Sequence, residues 1–453
     1  MLICLAPLLH MDIRMPFSQV VTCSDASHFG GAVAVAEALG SAGQQLCRRL
    51  SSPELEAIAA PLLVVSAFNG IGGAFRGYDL AGVKPQGLIA IEWDRAARRV
   101  TRKAWPQVIE FGDIEKITRR DVQDWANLFP RVTHVHVVGG FPCVHLSAVR
   151  AGRQNLEGDG SRLFWCLTRL IRWVKEAFGA SARVDFLIEN VLSMDTSARA
   201  AISLELGVEP YALCPSDMLP YNRPSLAWVS PTMQESDGIR LEPLEGFTRV
   251  HMRGGGISDL QWLEPGWSRY NPAAPLPTFM KSIPRHRPPE RPAGLARCDQ
   301  DCIERWTSDS FRFPPYQYKL ENLLQNAAGD LRYTSASERE LLLGFGFNHI
   351  HFAFSASESK GQELAFEDKR LSLCSDSFSM LSFGWVISQS HLWVPPSSPS
   401  ALLLRMGLAR RWASAGVYGT HSAETVLRTI PSEPLQHREI GGSTVTACES
   451  HRF

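Results

Sequence analysis

The sequence lacks most of the features that assign a chain at sight. None of its ten cysteines forms a CxxC pair. The closest spacing, Cys298 with Cys302, has no second pair to complete a zinc site. Scattered thiols of this kind read as reduced and intracellular, not as a disulfide framework, and no metal is expected. Charge of one sign is also missing: 46 basic residues face 46 acidic ones. Nothing therefore drives the whole chain toward nucleic acid, and such a partner must be met by a local basic patch. Long apolar runs are absent as well. The opening MLICLAPLLH has no basic leader and ends at His10 and Asp12, so neither a secretory signal nor a membrane span is expected. The 453 residues suffice for one large domain with insertions, or for two to three domains.

What is present centres on VGGFPCVHLS, Val138 to Ser147. An apolar strand over Thr133–Val138 runs into Gly139, Gly140 and then Phe-Pro-Cys. A thiol just past a strand's carboxyl end is where open α/β sheets place their active sites. Gly139 and Gly140 let backbone approach a ligand closely, and Pro142 stiffens the approach to Cys143. A buried structural cysteine is the alternative.

Upstream, Leu62–Ala67 is a continuous β-rich run, as expected of a strand buried on both faces. It ends in Phe68-Asn69-Gly70-Ile71-Gly72-Gly73, a glycine loop leading into a helix. Such a loop leaves backbone N–H groups free for a carboxylate or phosphate. A second strand, Gly87–Ile91, delivers Glu92-Trp93-Asp94, an acid placed for a ribose diol and a flat ring for adenine. A third, Val108–Phe111, delivers Gly112-Asp113-Ile114. A turn glycine, a helix cap and a solvated acid are the bland alternatives for each, but three successive strand ends carry the expected polar group. Downstream, Arg150–Gly160 reads as a mobile loop and Arg162–Phe178 as a helix with one apolar face. Asp185–Ile188 is a strand bringing Glu189-Asn190-Val191 to the sheet edge, and Ser225–Val229 a late strand after Asn222-Arg223-Pro224.

Residues 236–330 are rich in proline and glycine. Lys281, Arg285, His286, Arg287, Arg291 and Arg297 cluster there, followed by the aromatic stretch Phe311–Tyr318. Cations interleaved with aromatics suit phosphate contact and base stacking; a solvated proline-rich loop is the alternative. Thr334–Phe347 reads as a helix, and Cys374–Phe383 precedes a final apolar helix.

In order, the motifs FNGIGG, IEWD, GDI, GGFPCVHLS, IENV, the NRP segment, SERELLLGFGF and SDSFS resemble those of the DNA cytosine-5 methyltransferases, most closely the de novo type. The likeness covers most of residues 61–230 and resumes at roughly 331–386. It implies a Rossmann-like α/β sheet of mostly parallel strands with helices on both faces, plus a small irregular target-recognition region. S-adenosylmethionine is the implied cofactor and double-stranded DNA the implied partner, with the target base flipped out. Cys143 would add to cytosine C6; Glu189 would bind N3 and the exocyclic amine; Asn190 and Arg223 would support them. Phe68, Asn69, Gly70, Ile71 and Gly73 would line the methionine end of the cofactor. Glu92 would take its ribose, and Trp93, Asp113 and Ile114 its adenine. Pro142, Leu163, Ser377 and Phe378 would close the pocket, and Lys281, Arg285, Arg287 and Arg291 would contact DNA.

Three departures stand out. Ser225 occupies the place of a second arginine that normally helps hold the glutamate, a loss of about 1.5–3 kcal/mol for a charged donor. Val144 replaces a polar residue, and Ser375-Asp376 stands where glycine is followed by asparagine or arginine. A weakly active or inactive DNA-binding homologue and an RNA cytosine methyltransferase are therefore the competing readings.

The expected organisation is a catalytic domain over 58–235 and 331–390, a target-recognition region over 236–330 and a loosely held tail over 391–453. Residues 1–57 are expected to be an accessory or relic segment. Within it, Cys23–Glu37 resembles the first hairpin of ribonuclease H-like domains of retroelement polymerases, with Asp25, and Glu54 or Glu56, echoing acids of that site. An intracellular, soluble protein, nuclear if eukaryotic, is expected, with homo-oligomerisation implied by the resemblance.

Overall fold

The computed structural model describes residues 21–27, 30–36 and 58–389, apart from 150–151, 237, 254–256, 258, 283–291, 293, 356–357 and 359–361, together with Leu402. The opening segment holds two paired strands, as expected: β1 (Val21–Ser27) and β2 (Gly30–Ala36) pair antiparallel from Val21 opposite Ala36 to Ser27 opposite Gly30. Glu54 and Glu56 lie outside the described residues.

The main body is built on β3 (Ile58–Ala67), β4 (Val83–Ile91), β5 (Ile109–Phe111), β6 (His134–Gly140), β7 (Arg183–Val191), β8 (Tyr211–Leu213) and β9 (Ser225–Val229). In space they run β5-β4-β3-β6-β7-β9-β8. The pairs from β5 through β7 are parallel, and β9 runs antiparallel to both β7 and β8. A hairpin of β10 (Ile239–Leu244) and β11 (Phe247–Met252) extends this sheet, β11 pairing parallel with β8. Its residues fall within the 236–330 stretch, yet they continue the main sheet.

The central strand β3 shows why both faces must be covered. Leu62 and Val64 enter one apolar cluster, with α1 (Gly73–Ala81) and α9 (Met380–Gln389). Leu63, Val65 and Ala67 enter the other, with α3 (Arg119–Leu128), α4 (Phe164–Phe178) and α5 (Thr196–Leu206). Side chains alternating across a pleated strand give this division directly. The apolar stripe of α4 (Phe164, Leu167, Leu170, Ile171, Val174, Phe178) is buried as its spacing predicts. Helix α2 (Arg95–Ala104) follows β4 and is capped by the Asp94 carboxylate, which accepts from Ala97 N–H at 2.8 Å.

A third cluster lies beyond the sheet. It joins α6 (Gln300–Ser308), Phe313, Tyr318, Leu323, Leu331, Tyr333 and Leu371. Here a small sheet of β12 (Trp267–Arg269), β13 (Leu324–Asn326) and β14 (Leu331–Arg332) leads into α7 (Ala336–Leu343).

Several expectations change. The helix expected over Thr334–Phe347 is only α7, because Ser335 and Glu338 form a capping box and Gly344, at φ 98°, ends it. Cys374 and Ser375 close α8 (Glu363–Ser375), a helix the sequence reading missed. Glu189, Asn190 and Val191 lie inside β7 rather than beyond it. The aromatics expected to stack on bases serve as core instead: Phe313 and Tyr318 are buried. Within the stretch expected to be mobile, Arg153 is fastened: it donates to the carbonyls of Leu146 and Ser193, both at 3.1 Å, and pairs with Asp195 at 2.6 Å. Of the tail only Leu402 is described, buried beside Gly384 of α9.

Beneath the sheet's α1 face lies a buried polar group. Tyr78 OH contacts His136 Nδ1; His134 Nε2 sits 2.8 Å from Asp185, which also receives Ser230 Oγ at 3.1 Å and Arg183 Nε at 2.6 Å. Burial holds His136 neutral, its pKa pushed down to about 3. Burial alone would raise Asp185, but the His134 hydrogen bond and the surrounding cations bring it down to about 2 from 3.8. A carboxylate lowered in the folded state stabilises above its unfolded pKa and loses that contribution as pH falls through the folded one. Asp185→Asn is therefore expected to remove about 2 kcal/mol of stability at neutral pH. It should also flatten the pH dependence between about pH 4 and 2. Urea midpoints measured across that range check both.

Candidate active site

The chain leaves β3, builds β4 and β5 to one side, and returns to place β6 on the other. The carboxyl ends of β3 and β6 therefore flank the point where the winding reverses, where open α/β sheets form their clefts. Both the glycine loop and Cys143 emerge there.

On the β3 side the backbone is forced into left-handed turns. Phe68 has φ 55°, Gly70 54° and Gly72 91°. A Cβ at Gly72 would lie 2.2 Å from the Trp105 ring, whereas one at Gly70 would meet nothing within 4 Å. Glycine is thus needed for packing at Gly72, and for backbone conformation beside open space at Gly70. The loop is tied to the next strand end: Gly70 N–H donates to Glu92 Oε2 and Asp94 N–H to Glu92 Oε1, both at 2.8 Å. Burial raises the Glu92 pKa against these two donors. Asn69 is buried, its Nδ2 donating to Thr101 Oγ1 at 2.8 Å while its Oδ1 has no hydrogen-bond partner. Trp93 stands 80% exposed. Asp113 Oδ1 accepts from Glu115 N–H at 3.0 Å, with Ile114 buried behind it.

Ile71 and Gly73 face the other way, into the core. Ile71 is fully buried, and a Cβ at Gly73 would lie 2.9 Å from Met380 and 3.5 Å from the Phe378 ring. The Ile71 side chain and the Cβ side of Gly73 thus support the loop from beneath. His349, its pKa pushed down to about 4 chiefly by burial, donates from Nε2 to the Ile71 carbonyl at 3.0 Å. Thr101, Trp105 and His349 brace the loop, and no motif had marked them. Their polar-apolar pattern is that of any helix or turn, so the sequence carried no signal for them.

On the β6 side, Gly140 pairs with Glu189 in the parallel ladder. A Cβ at Gly140 would lie 3.0 Å from Glu189 Oε2, so glycine makes the space the carboxyl occupies. Asn190 Nδ2 donates to the Phe141 carbonyl at 2.9 Å, and its Oδ1 accepts from Val191 N–H at 2.9 Å. This fixes the peptide entering Pro142, whose own carbonyl accepts from Ser161 Oγ at 3.3 Å. Cys143 then opens a tight turn, its carbonyl accepting from Leu146 and Ser147 N–H, each at 2.9 Å. The thiol is half-buried and free. Burial, then the negative charges of Glu189 and Asp376, raise its pKa above 9, with Arg223 opposing.

Glu189 is pushed up by burial, countered by Arg223 and by the Ser225 hydroxyl, which donates to Oε1 at 2.7 Å. The expected loss of a donor at position 225 is thus a change of donor. Arg223 Nη2 donates to the Ser375 carbonyl at 3.0 Å, tying the late motif to the site. Next to it Ser377 is buried and Phe378 partly so, while Leu163 and Pro142 are partly exposed. Lys281, expected on DNA, is 2.6 Å from Asp376 and spans from the proline-rich region to this cleft. Arg285, Arg287 and Arg291 lie outside the described residues.

A mostly parallel sheet in which only β9 and β10 run against the rest, with a glycine loop after β3 and an acid after β4, is a Rossmann-like α/β fold. Residues 62–203 match the family model for C-5 cytosine-specific DNA methylase. The chain is 30% identical over 123 residues to DNA (cytosine-5)-methyltransferase DRM2 of Oryza sativa subsp. japonica, 26% of this chain and 20% of that protein. It is 29% identical over 119 residues to DRM2 of Arabidopsis thaliana, 25% and 19%. The matches thus span about a fifth of those relatives' length. Among solved structures, a DNMT2 mutant of Spodoptera frugiperda aligns with a TM-score of 0.45 and 12% identity, over 72% of this chain and 98% of that one. The likeness to the C-5 cytosine-specific DNA methylases thus rests on residues 62–203, the stretch in which most of the motifs lie. Among the described residues no helix is long and apolar enough to cross a membrane.

Proposed function

We propose that this chain transfers a methyl group from S-adenosylmethionine to C5 of cytosine in duplex DNA, through a covalent bond between Cys143 and C6 of a flipped-out base. The observation that carries the reading is the convergence of Cys143 and Glu189 from adjacent strands beside the Gly70–Glu92 loop. Cytosine C5 is a poor nucleophile. Addition of the Cys143 thiolate to C6 makes C5 electron-rich. Glu189, as an acid, donates to N3 and accepts from the exocyclic amine, offsetting the charge that develops on the ring. After methyl transfer a base removes the C5 proton, and elimination returns the thiolate to Cys143. Position 143 therefore supplies both the entering and the leaving group.

The residues fit the cofactor. Glu92, held by two backbone donors, retains lone pairs for ribose hydroxyls. Gly70 faces open space, the unpartnered Asn69 Oδ1 lies beside it, and the exposed Trp93 offers a face for adenine. When bound, S-adenosylmethionine supplies an electrophilic methyl on a sulfonium.

Labelled methyl groups should enter cytosine-containing duplex DNA, and the protein should be trapped covalently on 5-fluorocytosine duplex. Incorporation into structured RNA alone would move the substrate to RNA; absence of both label and adduct would reject the reading. Glu92→Gln removes a charge facing the ribose and is expected to weaken cofactor binding about tenfold by calorimetry. An unchanged affinity would remove Glu92 from the site.

A further inference from the structure

Ser225 occupies a position at which the register dictates its task. Strand β9 runs antiparallel to β7, with Val191 opposite Ser225 and Glu189 opposite Ala227. Val191 and Glu189 are two residues apart on one strand, so Ser225 is the diagonal neighbour of Glu189 on the same face. At that separation a short hydroxyl reaches the carboxyl, and Ser225 Oγ donates to Oε1 at 2.7 Å. Ser225 is 4% exposed, so the contact is made out of water.

We propose that Ser225 is the positioning residue for Glu189, fixing the rotation of its carboxyl so that Oε1 is the accepting oxygen and Oε2, against Gly140, is the one presented to the base. This rests on the proposed function, and it assigns a role that the family's usual arginine cannot perform in the same way. An arginine at this position adds a full positive charge beside the carboxyl and favours the ionised form. A serine hydroxyl is neutral: it donates more strongly to a carboxylate, but it keeps its bond to the carbonyl oxygen of the carboxylic acid and so favours the ionised form less than a full charge does. With Oε1 occupied as acceptor, the proton of the neutral acid resides on Oε2, the oxygen that must donate to cytosine N3. Arg223 supplies the remaining positive charge while its Nη2 is committed to the Ser375 carbonyl. The charged and titratable groups around Glu189 are therefore Arg223 from the approach to β9, Cys143 from the loop after β6, and Asp376 from the late motif beyond Cys143. Burial keeps Glu189 above its ordinary value, and the Ser225 bond pulls it part of the way back.

The test compares the parent protein with Ser225→Ala and Ser225→Thr, using two readouts. The first is kcat and KM for methyl transfer to duplex DNA across pH. The second is the ¹³C titration of the Glu189 carboxyl in protein labelled at glutamate, assigned with Glu189→Gln, and it needs no activity. Ser225→Ala is expected to lower kcat about 10- to 100-fold with KM for DNA little changed. The Glu189 midpoint should rise, and with it the acidic limb of the kcat profile. Ser225→Thr, which keeps the hydroxyl, should restore both to near the parent. An unmoved Glu189 midpoint in a folded Ser225→Ala protein overturns the proposal, as does a threonine variant that stays folded and behaves like alanine. If the parent itself transfers no methyl group, the proposed function fails, and the carboxyl titration still decides whether Ser225 orients Glu189.

Discussion

Cys143→Ala is expected to lower methyl transfer to cytosine by about 10⁴-fold or more, since the proposed covalent route runs through this thiol. Adduct formation on 5-fluorocytosine duplex should vanish with it, while cofactor binding persists, because no cofactor-facing group is removed. The pH profile of the parent follows from the two shifts. Cys143 lies above the ordinary thiol value, raised first by burial. Glu189 lies above the ordinary carboxyl value for the same reason. The reacting form pairs a thiolate with a carboxylic acid. It holds the same number of protons as the more abundant pair of thiol and carboxylate, so it is present as a constant small fraction between the two values. Activity should therefore fall below the Glu189 midpoint, where the thiolate is lost, and above the Cys143 midpoint, where the acid is lost. The alkaline limb thus lies at higher pH than an ordinary thiol would place it. A Cys143→Ala protein retaining more than a few per cent of the parent's label incorporation would show that the thiol is not the nucleophile.

The parts of this protein that were legible in its sequence are those where one residue type has one physical use. A side chain at Gly72 would run into the Trp105 ring, and one at Gly140 would crowd the Glu189 carboxyl; the first stood out in a glycine loop, the second at a strand end. The strands β3 and β9 read clearly because they are largely apolar runs buried on both faces, and β6 because its valines lead into a pair of glycines. The parts that stayed illegible depend on which partner a side chain meets. Ser225 in sequence is only a missing arginine; its meaning comes from the diagonal β7–β9 register that aims it at Glu189. Phe313 and Tyr318 carry the same aromatic signal whether they stack on bases or fill a core, and only the fold shows them buried. Helix α8 escaped notice because its buried face includes Glu367 and Arg370, which pair with each other and with α7 instead of presenting an apolar stripe.

That buried ion-pair system is the basis of the second large expected effect. Glu338→Ala should destabilise the protein by about 3–5 kcal/mol. All eight residues of α7 are buried, and the Glu338 carboxylate receives Arg332 Nη1 and Nη2, both at 2.8 Å, Ser335 N–H at 2.8 Å and Glu264 N–H at 3.0 Å. Truncation leaves two backbone donors unpaired and the 1% exposed Arg332 with Glu264 as its remaining anion. Urea denaturation with a two-state fit reads the loss. Replacing Arg332 and Glu338 together by apolar residues of similar volume should cost less than the single change, because no buried cation is then stranded. Equal costs would mean that packing, not charge, sets the stability here. The effect should also reach the cofactor loop. Helix α7 ends at Gly344, whose carbonyl accepts from Arg76 Nε of α1 at 2.8 Å, and the following turn places His349 on the Ile71 carbonyl and against Trp105. Loosening α7 removes the support beneath Gly70–Gly73. Glu338→Ala at temperatures where it remains folded should therefore bind S-adenosylmethionine more weakly than the parent, although Glu338 lies outside the residues assigned to the cofactor.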